Sequence, residues 1–205
     1  MAISLSQRVI NLLRGPEVGR IRFSFPDGAA AITVDRGMYH RVASAIEHRR
    51  IGIFPATDPA LIPSDAGATY DGTPVDGGTI FIRAGKAWGR DLEGDLVHEC
   101  THAGFDVDKR NTLTALNDEA AAYVAEVLYY RMSSAPLSYW AGMVGGVRDV
   151  ALPVANALLH EYQAGNTPTP AVDPVTFNAL RAVIPLRPVY RGTVVTNGGS
   201  YIRNG

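Results

Sequence analysis

The chain predicts an α+β fold: a small twisted sheet packed against helices, with a mainly helical C-terminal half. Two observations carry that prediction. Segments with strand-type alternation or strand-forming composition fall before about residue 90, whereas helical periodicity dominates from about residue 91 onward. A length of 205 residues with 46% hydrophobic side chains is ample for one core of ordinary size. A single domain over residues 1–205 is expected, with a sheet-containing lobe over about 1–90, a helical lobe over about 91–205, and a cleft between them.

The elements follow in order. Met1 to Arg14 patterns as an amphipathic helix. Arg20–Phe25 and Ala29–Val34 flank Pro26-Asp27-Gly28, a turn signature, and read as a hairpin. Met38 to Arg49 is helical, with Val42 and Ile46 inward, and Ile51–Phe54 returns to strand. The Pro- and Gly-rich stretch from Pro55 to Gly78 reads as a loop holding a short strand near Ala68–Tyr70. Gly78–Arg83 alternates and is rich in strand formers before Ala84-Gly85-Lys86 breaks it. Asp91 then offers an N-cap to a helix whose apolar stripe is Leu92, Leu96, Cys100 and Ala103, with Gly104 as its stop. Thr112 to Leu128 is a strong helix with Leu116, Ala120, Tyr123 and Val127 on one face. Further helices run over about Gly146–Gln163, with Pro153 marking a kink or a new first turn, and over Pro174–Ile184. Gly165 to Pro170 is a surface loop, and the last twenty residues read as a strand and turn or a loosely held tail.

Composition narrows the function classes. Net charge is -1 and neither sign forms a long block, so no electrostatic footprint for nucleic acid is present. No stretch approaches the apolar length of a membrane span. The first fourteen residues lack the apolar core and cleavage site of a signal peptide, so a cytoplasmic location is the default, with export lacking a cleaved signal left open. The single Cys100 excludes an intrachain disulfide and reads as a small buried residue.

Chemistry concentrates in Leu96-Val97-His98-Glu99-Cys100-Thr101-His102. Two histidines four apart on a helix project from one face one turn apart, so both imidazoles can meet one metal ion while Glu99 points beside it. The bland alternative is a helix with two solvent-facing histidines. A catalytic zinc site takes three protein ligands and leaves one position open, so a third must come from elsewhere. Glu119 lies beside the inward stripe of the next helix, where a buried carboxylate needs a partner and a dication supplies one. His40 and His48 are eight apart and show no ligand spacing.

With Glu119 seventeen residues after His102, in Asn117-Asp118-Glu119-Ala120, the motif resembles the gluzincin group of zincin-like metallopeptidases. The match covers about residues 76–130, and Asp118, inserted between Asn117 and Glu119, departs from the group's pattern. The resemblance implies a zinc-dependent peptidase with one Zn2+ per chain and a peptide or protein substrate, either of narrow specificity or of the toxin type. It implies His98, His102 and Glu119 as ligands and Glu99 as the general base, with Asp118, Tyr123 and Glu126 around them. It further makes His160 a candidate for steadying an oxyanion, against a plain solvent-facing role. Gly78–Arg83 would be the edge strand that pairs with an extended substrate, or else an interior strand without that contact. A rival third ligand is Asp108, at the last position of the longer metzincin-type motif, but the turn glycine which that motif requires falls on Phe105. A catalytically inactive zincin-like module that binds metal and a partner is the alternative to the enzyme.

Overall fold

The computed structural model describes residues 3–62, 64, 66–72, 77–110, 113–133, 146–165 and 169–186. Among them are six α-helices: α1 (Leu5–Leu13), α2 (Arg36–Glu47), α3 (Arg90–Val107), α4 (Ala115–Met132), α5 (Val147–Ala164) and α6 (Pro174–Val183). Five strands accompany them: β1 (Phe23–Asp27), β2 (Ala30–Val34), β3 (Gly52–Ala56), β4 (Ala68–Asp71) and β5 (Thr79–Arg83). The α+β class holds. The tail expected from Tyr190 onward lies outside the described residues, as do residues 166–168 of the loop before α6.

Local chemistry sets several helix starts. The side chains of Ser4, Asp35 and Asp173 each accept a hydrogen bond from the backbone N–H three residues on, so α1, α2 and α6 begin with their first free donors satisfied. Asp91, expected as the cap of α3, instead lies in its first turn, because Gly89 occupies the cap. There Asp91 and Glu93 still favour the helix N-terminus through its dipole.

The sheet is two sheets. β1 and β2 form an antiparallel hairpin whose register, Asp27 opposite Ala30, places the turn on Gly28-Ala29. Gly28 takes φ +60°, and Pro26 and Asp27, both expected in the turn, are paired residues of β1. The other sheet has the order β3-β5-β4, with β3 parallel and β4 antiparallel to β5. β5 is therefore the interior strand and β4 an edge strand, the one that packs beside α3. Of the two readings left open for residues 78–83, edge or interior strand, the interior one is what the sheet has. Strand order is a tertiary property that the alternation of Thr79–Arg83 does not encode.

A continuous hydrophobic core runs through α1, α2, the hairpin, the three-stranded sheet and the C-terminal helices. α3 packs against α2 and α4, and α4 also packs against α5 and α6. Every residue of α4 from Asn117 to Tyr130 is buried, so the helix presents no solvent face, in place of the single inward stripe expected. α3 also runs further than expected, past Gly104 to Val107. At Gly104 a Cβ would come within 2.6 Å of the Met38 side chain of α2, so the glycine serves close helix packing and not helix termination. Pro153 likewise sits inside a continuous α5.

At Gly94 the Tyr130 side chain of α4 packs directly onto the α3 backbone. A Cβ there would lie 2.1 Å from the Tyr130 ring, whose hydroxyl hydrogen-bonds Glu126 at 3.1 Å. Gly94→Ala is expected to destabilise the chain by about 1–3 kcal/mol, despite the better helix propensity of alanine, because a buried ring must shift. A urea midpoint equal to or above wild type would contradict this account.

Candidate metal centre

α3 and α4 bring His98, His102 and Glu119 together in a buried cluster whose ligand atoms all lie within 4.8 Å of one another. The four-residue spacing puts the two imidazoles one above the other, 4.9 Å between ring centroids. Glu119 reaches in from the first turns of α4, with its Oε2 3.5 Å from His98 Nε2 and its Oε1 3.7 Å from His102 Nε2. Those separations are too long for good hydrogen bonds. A tetrahedral divalent ion held by imidazole nitrogen and carboxylate oxygen spaces its ligand atoms about 3.4 Å apart, so the residues fit such an ion.

The other ring nitrogens explain why both Nε2 atoms point inward. His102 Nδ1 lies 2.6 Å from Asp118 Oδ1, and His98 Nδ1 faces Glu126 Oε2 at 3.4 Å. Asp118 takes the Nδ1–H of His102 in a hydrogen bond, whereas Glu126 faces His98 Nδ1 as a charge partner without closing one, and both Nε2 lone pairs are left toward Glu119. Asp118 and Glu119 therefore divide their tasks: the first orients a histidine and the second faces both. Asn117, the residue before them, donates to Asp27 Oδ1 at 2.5 Å and ties the start of α4 to the hairpin.

The electrostatics of the cluster favour positive charge on the two histidines. Burial opposes the charged form of His98, but the Glu119 and Glu126 carboxylates outweigh it and raise its pKa well above the ordinary value. Burial opposes His102 in the same way, and Asp118 and then Glu119 raise its pKa. Group by group, the three residues could hold a metal ion in the deprotonated histidine form.

No protein-family model, curated protein or solved structure matches this chain.

Glu99 is half-buried beside the cluster, and its Oε2 accepts a hydrogen bond from the Tyr70 backbone N–H of β4 at 2.7 Å. Burial raises its pKa; the two histidines lower it, Glu119 raises it and the Tyr70 bond lowers it, with burial prevailing. Tyr123 packs its ring edge-on against His98 at 4.6 Å. Two candidates fall elsewhere. His160 is exposed on α5. Asp108 caps the C-terminus of α3 and receives two 2.6 Å hydrogen bonds from Arg41, so it lies outside the buried trio.

Beyond the expected residues, the structure adds a buried ionic network. Arg148 donates from Nε to Glu126 Oε1 at 2.6 Å and from Nη2 to Asp95 Oδ1 at 3.1 Å. Asp95 also accepts from Lys86 Nζ at 3.1 Å and from the Gly67 N–H at 2.8 Å. A charge at Asp95, three residues before His98 and beside the apolar stripe, was the available sequence signal for this network. Nothing local pointed to Arg148.

Glu126 holds the stronger share of Arg148. Burial opposes its charge, yet Arg148 and His98 bring its pKa down to about 2. For Asp95, burial and the neighbouring Glu126 carboxylate prevail over Lys86 and Arg148, and its pKa rises. A folded-state value below the ordinary 4.5 means that Glu126 contributes stability fully above that value and loses it as pH falls toward about 2. In the metal-free chain, urea midpoints should therefore fall between pH 5 and pH 2, and Glu126→Gln should flatten that fall. An unchanged slope in the variant would show that Glu126 is not among the groups responsible.

Proposed function

We propose that the chain is a zinc-dependent metallopeptidase of the gluzincin, zincin-like type, which hydrolyses peptide bonds with Glu99 as general base. One observation carries the reading: both histidine Nε2 atoms converge on Glu119 while Glu99, the residue after the first histidine, is held beside them by an edge strand. A pair of imidazoles with one carboxylate suits zinc, and three protein ligands leave a position open. When bound, the ion would supply Lewis acidity, lowering the pKa of a water and polarising a carbonyl.

The chain's own residues supply the rest. Glu99 takes the proton of the attacking water and delivers it to the leaving amine, a role that suits a carboxylate whose pKa burial has raised. Asp118 and Glu126 keep the histidines in the tautomer that binds metal. Under this reading the substrate-pairing edge is β4 and not β5, because β4 is the outer strand next to α3. Neither His160, which is exposed, nor Tyr123, which is buried against His98, is assigned the oxyanion role.

The test is incubation of the zinc-loaded chain with a diverse peptide pool, with new termini read by mass spectrometry and Glu99→Gln run in parallel. Cleavage that depends on Glu99 supports the peptidase. Zinc binding without any Glu99-dependent cleavage would favour a non-catalytic zincin-like module.

A further inference from the structure

Arg148 enters the site from a helix that carries none of the proposed ligands. It stands in the first turn of α5, and its guanidinium reaches across to α4 and α3, holding Glu126 at 2.6 Å and Asp95 at 3.1 Å. Glu126 is fully buried and uses its two oxygens differently. Oε1 accepts from Arg148 and from the Tyr130 hydroxyl, which leaves Oε2 turned to His98 Nδ1 at 3.4 Å. Without Arg148 the carboxylate would be a buried charge with one weak polar neighbour and a histidine, an arrangement that a side chain escapes by turning or taking up a proton. Lys86 does not replace Arg148, since its ammonium pairs with the far oxygen of Asp95.

From this geometry we infer that Arg148 is a positioning residue for the metal centre: by anchoring Glu126 it fixes the ring of His98 with Nε2 toward Glu119. The inference rests on the metal reading above and extends it to a third helix. None of the hydrogen bonds and ion pairs of Arg148 goes to the three ligands, and of its two carboxylate partners Glu126 is the one that faces His98. A planar guanidinium is suited to the task, because it spans Glu126 and Asp95 at once where an ammonium offers a single point of charge. The seating of α5 on α4 thereby becomes part of the metal site.

The experiment is a zinc titration of the full-length chain against a competing chelator, with the visible spectrum of the cobalt(II)-loaded chain as a second readout. The variants are Arg148→Met, Arg148→Lys, Glu126→Gln and the double Glu126→Gln/Arg148→Met, each with its fold checked by circular dichroism. Arg148→Met should weaken zinc binding about 10–100-fold and alter the cobalt bands, and Arg148→Lys should recover part of that loss. The double variant should bind no more weakly than Glu126→Gln alone, because Arg148 has nothing to act through once Glu126 is neutral. If Arg148→Met does not fold, Arg148→Lys takes its place: it should bind zinc more weakly than wild type with altered cobalt bands, and wild-type affinity there overturns the inference. Wild-type affinity in a folded Arg148→Met, or a double variant weaker than Glu126→Gln, overturns the inference. A wild-type chain that takes no zinc overturns the metal reading beneath it, a result recognisable before any variant is compared.

Discussion

Glu119→Ala is expected to take purified, reconstituted protein from about one zinc per chain to almost none. The glutamate is the one group that faces both Nε2 atoms, at 3.5 and 3.7 Å, and no other carboxylate of the described residues completes that cluster. Its loss should exceed the roughly 10–100-fold effect of changing an outer partner, since a direct ligand disappears. His98→Ala should behave alike. Asp108→Ala is the control, and it should keep its zinc, because Asp108 is engaged with Arg41 at the far end of α3. A second readout follows from mass action: an ion at a thousand times its dissociation constant stabilises the folded chain by about 4 kcal/mol. Zinc should therefore raise the melting temperature of wild type and leave that of Glu119→Ala unmoved. Zinc lost with Asp108 and retained without Glu119 would transfer the third ligand to the end of α3.

Glu99→Gln should separate chemistry from binding. Glutamine has the shape of glutamate and keeps an oxygen to accept the Tyr70 N–H, so both the fold and the zinc should persist. It cannot take a proton from water. Hydrolysis should fall about 10²–10⁴-fold, the span typical of a missing general base, with zinc content unchanged. The outcome that defeats the catalytic assignment is full activity in a zinc-loaded Glu99→Gln. If zinc were lost as well, Glu99 would be a structural prop for the ligands and the assignment of a base would move elsewhere.

The meeting of His98, His102 and Glu119 was legible because the histidine spacing is local. A four-residue interval on a helix dictates one face, and a buried carboxylate seventeen residues later requires a partner. Legibility weakened wherever a second element decided the matter. Gly104 carries the composition of a helix stop, yet Met38 of α2 fills the space where its Cβ would be and α3 continues. The interval from Asn117 to Glu119 left two carboxylates open, and the positions of the two imidazoles separate them: Asp118 meets Nδ1 of His102 and Glu119 faces both Nε2 atoms. His160 shares the chemistry of a site residue but faces solvent on α5.

By itself the sequence determined the α+β class, the hairpin around Gly28, and the projection of His98 and His102 from one helix face. Each of these depends on groups within a few residues of one another, where backbone geometry alone relates them. Tertiary structure alone decided that β4 and not β5 borders α3, that α4 is buried on every side, and that Arg148 holds Glu126 against His98. Those outcomes join residues distant in the chain, and they are set by which surfaces pack together and by the need of each buried charge for a partner.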